Sequence, residues 1–183
     1  MVDMADATQP ERMVEPWLRN TLSAVPAVPR AVLHALELAR ENVEHWTPQL
    51  TDEEIHATPF GLTPYAFHVR HMAHSLDRLL TYAEGAPLNL MQRAALSVEL
   101  EPGMSTQAML AEFESALREA AGRIRRLPLD QLEAPRAVGA KGLPATLGGL
   151  LVHLADHTQR HAGQAVTTAK LLLALRASRA ANV

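Results

Sequence analysis

The chain has 183 residues, 48% apolar and 20% charged, with 17 Lys and Arg against 20 Asp and Glu for a formal charge of -3. That balance suits one globular domain and provides no basic field for nucleic acid. There are nine histidines and no cysteine, so disulfides, a protein thiolate nucleophile and thiolate ligands are excluded, and any transition-metal site must use imidazole and carboxylate. The opening MVDMADATQPERMVEP is polar, with no apolar signal region, and no apolar run approaches the roughly 20 residues of a membrane span. The expectation is a cytoplasmic protein, one domain over 1–183 with 1–12 as a flexible N-terminus. Its partner would be a small molecule or a second copy of itself, with no nucleic acid and no membrane.

Prolines and glycines cut the chain into four long helical stretches. The first follows Pro26 and Pro29 and carries Val32, Leu33, Leu36, Ala39, Val43 and Trp46 at helical spacing, ending at Thr47-Pro48. Thr51 with Glu54 fits a capping box. The second helix runs from near Pro64 to Glu84, stopped by Gly85, with Tyr65, Met72, Leu76, Leu79 and Ala83 on one face. Residues 86–103 read as a connection that can include a helical turn. The third helix opens at Ser105 or Thr106 and ends before Pro128, with Leu110, Phe113, Leu117, Ala120, Ile124 and Leu127 as its stripe. Residues 128–145 read as a long Pro- and Gly-containing loop, which could cover a pocket. The fourth helix spans 147 to about 177, with Leu147, Leu150, Leu154, Leu172 and Leu175 on its buried side. Four amphipathic helices and no useful period-2 segment make an all-α four-helix bundle. The order of neighbours stays open.

The fourth helix carries HLADHTQRHAGQ, residues 153–164. At about 100° per residue, His153, His157 and His161 drift only about 40° per step and share a face. Leu150, Leu154, Gln164 and Leu175 fall within about 60° of His157, so that face is expected to point at the core. Burying unpartnered imidazoles costs about 1–3 kcal/mol per group. A shared metal ion removes that cost, and histidines at i and i+4 can reach one ion. Between His157 and His161 stand Thr158, Gln159 and Arg160, so the glutamate base of an HExxH protease is missing. A second cluster, His68, His71 and His74, fans across roughly 120° of the second helix. Periodicity puts His68 nearer the Met72–Leu79 stripe than His71.

Two stretches, FHVRHMAHSLDRLLTYAEG (67–85) and LLVHLADHTQRHAGQ (150–164), resemble the DinB/YfiT-like family of metalloenzymes. The opening EPWLRNTL and VPAVPRAVLHALELARENVEHW is also similar, so the likeness covers most of the chain. The resemblance implies a four-helix bundle holding a metal by one histidine on the second helix and an HxxxH pair on the last. Matched residue by residue, these are His71, His157 and His161, followed by Gly163 and Gln164. His153 is an addition to that pattern. Asp77, Arg78 and Tyr82 follow His71 on the same helix, and Arg78 and Tyr82 point to its side. Either Arg78 or Tyr82 meets an anionic substrate group, or Arg78 makes an interhelical salt bridge and Tyr82 packs as a ring. Arg160, beside the HxxxH pair, has the same two readings.

Zinc, nickel and iron all suit imidazole ligands. Three ligands leave a coordination position open, as in catalytic rather than closed structural sites. The resemblance implies metal-dependent thiol S-transferases or isomerases using a low-molecular-weight thiol. A metal-dependent hydrolase and a non-catalytic metal- or small-molecule-binding stress protein are the rival readings. The family likeness and the amount of apolar stripe also lead to an expectation of a homodimer.

Overall fold

The computed structural model describes residues 14–181. The expectation of a flexible 1–12 lies outside them. Pro26 stands immediately before α1 (Ala27–Trp46), which buries Val32, Leu33, Leu36, Ala39 and Val43. Pro48 ends it in a 3₁₀ turn, Thr47–Gln49. There the Thr47 hydroxyl and Tyr65 Oη share a hydrogen bond of 2.8 Å, both side chains fully buried. The Thr51–Glu54 box is present in both directions, at 3.0 and 3.2 Å. It opens the short turn Glu54–His56.

Pro64 precedes α2 (Tyr65–Ala83). Gly85, at φ 82°, turns the chain away after it, a conformation that glycine adopts without a Cβ penalty. The connection expected at 86–103 instead contains a nine-residue helix, α3 (Leu90–Val98). Its start is a reciprocal capping box in which Asn89 Oδ1 accepts from Gln92 N and Gln92 Oε1 accepts from Asn89 N, both at 2.9 Å. The Asn89-x-x-Gln92 spacing is the signal that could have revealed it. Ser105 caps α4 (Thr106–Arg126). Its buried stripe is Met109, Phe113, Leu117, Ala120 and Ile124, with Leu110 only half-buried.

The long loop expected at 128–145 is also corrected. It contains an antiparallel hairpin, β1 (Pro135–Val138) and β2 (Leu143–Thr146), registered Pro135 to Thr146 and Val138 to Leu143. Gly139 and Gly142 turn it with φ of 72° and 61°. Pro135 and Pro144 lack an N–H for the ladder, and a two-stranded ribbon tolerates them because both strands are edges. Four-residue strands with prolines have no readable alternation, which is why composition alone suggested a loop.

The last helix, α5 (Leu147–Ala181), is four residues longer than expected. It packs against both α1 and α2, and α4 also packs against both, so α1 and α2 lie diagonally across the bundle. The core is continuous through all four, with Tyr65, Met72, Leu76, Phe113, Ile124, Leu151 and Leu154 essentially inaccessible to solvent. No helix among the described residues is long and apolar enough to cross a membrane.

Candidate metal centre

Contact between α2 and α5 brings His71, His157 and His161 together. One ring nitrogen from each lies within 4.8 Å of the others. The ring centroids are 5.0 Å apart for His71 and His157, 4.5 Å for His71 and His161, and 4.6 Å for His157 and His161. Phe67 stacks on His71 at 5.1 Å and 17°.

The burial differs from the helical-wheel expectation. On α5 the core positions are Leu150, Leu151, Leu154, Thr158, Ala162 and Ala165. His157 and His161 stand one residue before Thr158 and Ala162, half-buried at the edge of that stripe, while His153 and Gln164 are exposed. The reason is that α5 packs on two helices at once, so its buried arc is broad and centred near Leu147, Leu154 and Ala165, with the histidines to one side of it. On α2, His68 is the more buried histidine, as periodicity indicated, but His71 is the one that meets the α5 pair. The two are connected: His68 Nδ1 lies 3.1 Å from His161 Nδ1.

Burial, reinforced by neighbouring imidazoles, pushes His68, His157 and His161 down to about 4. They are therefore neutral at ordinary pH, and neutral imidazole is the ligand form. His74 behaves oppositely. Its Nε2 donates to Glu112 at 2.9 Å and its Nδ1 to Glu99 at 3.3 Å, and these hydrogen bonds raise it to about 9. Glu99 sits just after α3, almost fully buried. Burial alone would raise its pKa, but hydrogen bonds from His71, His74 and Arg78 and the Arg78 charge hold it well below the usual carboxylate range.

The donor set suits a transition-metal ion. His71 Nε2 and His157 Nε2 are 3.3 Å apart. His157 Nδ1 is buried without a hydrogen-bond partner, an arrangement that needs an explanation in a packed protein. His68 is not among the mutually close nitrogens, and among the described residues no fourth ligand joins the group.

Beside the histidines lies a cavity of about 260 Å³, walled by Leu79, Tyr82, Leu88 and Leu96 with Ser75 and Arg78 among its polar groups. Its cover is Leu88 and Leu96, from α3 and the segment before it, and not the 128–145 hairpin. The hairpin's Ala137, Gly139 and Ala140 line a neighbouring hollow instead. A larger cavity, about 540 Å³, lies between α2, α3 and α4 and touches none of the three histidines. Arg78 makes the scaffold contact: Nη1 donates to Glu99 at 2.8 Å and Nη2 to Ser75 at 3.1 Å. Arg160 is exposed and paired with Asp156. Asp77 bridges to Arg123 at 2.6 Å.

A four-helix bundle with a histidine cluster between its second and last long helices defines a class of helical protein with a candidate metal site. A family model for the DinB superfamily matches residues 35–165, and the chain belongs to that superfamily. The crystal structure of a conserved protein from Enterococcus faecalis superposes with a TM-score of 0.67 at 20% identity, over 82% of this chain and 99% of that one, which shows the shared fold. No curated protein matches this chain.

Proposed function

We propose that the protein is a metal-dependent enzyme, thiol S-transferase-like, in which His71, His157 and His161 hold a divalent transition metal such as zinc, nickel or iron. The observation that carries this reading is an open cluster of three imidazoles beside a cavity, with His157 and His161 held neutral by burial. When bound, such an ion supplies Lewis acidity and keeps a thiol as thiolate near neutral pH. The chain has no cysteine, so the sulfur would come from a low-molecular-weight thiol co-substrate. Leu79, Leu88, Leu96 and Tyr82 would take the apolar body of a compact electrophile and exclude water from it. Holding sulfur and electrophile side by side supplies the entropic part of the acceleration. The sulfur–carbon bond forms as the leaving group departs with its electron pair, and the thiol proton has already gone to solvent. Arg78 is neutralised by Glu99, which favours an uncharged group at that wall.

The test is turnover of an electrophile panel by metal-loaded protein with and without bacillithiol, mycothiol or glutathione. Thiol-dependent product is expected. Hydrolysed product formed without thiol would replace this reading with a hydrolase. Silence across the panel would favour a metal- or small-molecule-binding protein. The same reading takes the active species as a cytoplasmic homodimer, and a monomer mass in light scattering at tens of micromolar would reject the dimer.

A further inference from the structure

We propose that Glu99 is the positioning residue of the metal centre: it fixes His71 as the Nδ1–H tautomer and so turns the Nε2 lone pair into the histidine cluster. The inference rests on the three-histidine reading and adds a residue from a different helix to it.

Glu99 Oε1 accepts from Arg78 Nη1 at 2.8 Å and from His74 Nδ1 at 3.3 Å. His74 has a carboxylate on each ring nitrogen, so both nitrogens donate. Two cationic donors on one oxygen keep Glu99 ionised, with nothing to donate. Its other oxygen, Oε2, lies 2.6 Å from His71 Nδ1. At that distance, facing a carboxylate, Nδ1 must carry the proton. In the neutral ring Nε2 is then the bare nitrogen, and it faces His157 Nε2 at 3.3 Å. A carboxylate behind a metal-ligating imidazole sets ring orientation and basicity, and loss of such a partner typically weakens metal binding about 10–100-fold.

Position in the fold adds a second consequence. Glu99 is delivered by α3, which is fastened to α2 at both ends. Gln92 Nε2 donates to Asp77 at 2.9 Å and to Thr81 at 2.7 Å. Arg70 Nη1 donates to the carbonyls of Val98 at 2.5 Å and Glu101 at 3.2 Å. The helix that covers the cavity with Leu96 thus also holds the His71 ring.

The experiment combines nitrogen-15 NMR of the metal-free full chain at neutral pH with zinc competition titrations. In the unsubstituted protein, His71 is expected to show a protonated Nδ1 and a bare Nε2. Glu99→Gln is expected to weaken zinc about 10–100-fold, because its amide can donate to Nδ1 and leave the proton on Nε2. Glu112→Gln, which touches His74 but not His71, is expected to bind zinc as the unsubstituted chain does. A His71 ring protonated on Nε2 overturns the proposal, and so does a Glu99→Gln protein that binds zinc within twofold of the original. If Glu99→Gln does not fold, the NMR measurement on the unsubstituted chain decides alone. An unsubstituted chain that takes up no zinc would overturn the three-histidine reading itself, a result separate from zinc binding that merely ignores Glu99.

Discussion

His68 Nδ1 and His161 Nδ1 face each other at 3.1 Å, so one of the two carries a proton and the other accepts it. Both rings are held neutral by burial, at about 4. His68 is therefore the partner of a proposed ligand rather than a ligand itself. His68→Leu should keep the fold and weaken zinc by about tenfold, at the low end for loss of such a partner. Chelator competition measures it, and an unchanged affinity would remove His68 from the centre.

The proposed ligands respond differently from their exposed neighbour. His157→Ala and His161→Ala should each lose stoichiometric metal, while His153→Ala, on the exposed side of α5, should lose much less. Metal content by elemental analysis checks this, and full metal in the His157→Ala, His161→Ala double variant would sink the assignment.

Acid should release the metal late. The free His157 and His161 rings protonate only near pH 4, so protons compete with metal for them only in that range. Zinc retained by the protein after dialysis should stay nearly constant from pH 7 to 5.5 and fall steeply toward pH 4. A loss centred near pH 6.5 would contradict the burial of these rings.

Alkali should act on His74. Its folded pKa of about 9 lies above the ordinary 6.5. A raised imidazole pKa contributes stability that is complete below about 6.5 and is lost as pH rises through 9. The Tm of metal-free protein should fall across that window, and His74→Gln should flatten the fall. A parallel decline in both proteins would place the cause elsewhere.

The bundle itself depends on α4. Phe113 is 1% exposed in the shared core. Phe113→Ala should cost about 3–5 kcal/mol by lost burial and the remaining cavity. Urea unfolding of the two proteins measures the difference, and a change under 1 kcal/mol would mean that α4 is not integral to the core.

Much of this was legible in the residues. Pro26, Pro64, Gly85 and Ser105 mark helix ends through backbone chemistry that acts locally, and the structure has its helix boundaries there. The four-residue repeat of His153, His157 and His161 is likewise a local property, readable from 3.6 residues per turn. The short α3 was hidden because a nine-residue helix has too little periodicity to detect, although Asn89 and Gln92 cap it. The hairpin was hidden because its strands are four residues long and contain prolines.

What the sequence could not decide was anything that depends on which surfaces meet. Periodicity pointed to His68 and only the family resemblance to His71; which of them meets the α5 pair turns on the rotation of α2 against α5, and a shift of one residue along a helix changes the facing by about 100°. Packing of α5 between α1 and α2 set that rotation, exposing His153 and leaving His157 and His161 at the edge of the buried stripe. Glu99 carried no local signal, because it acts on His71 from 28 positions away. Only the tertiary structure brings its carboxylate against that ring, where Arg78 and His74 offset the cost of burying a charge.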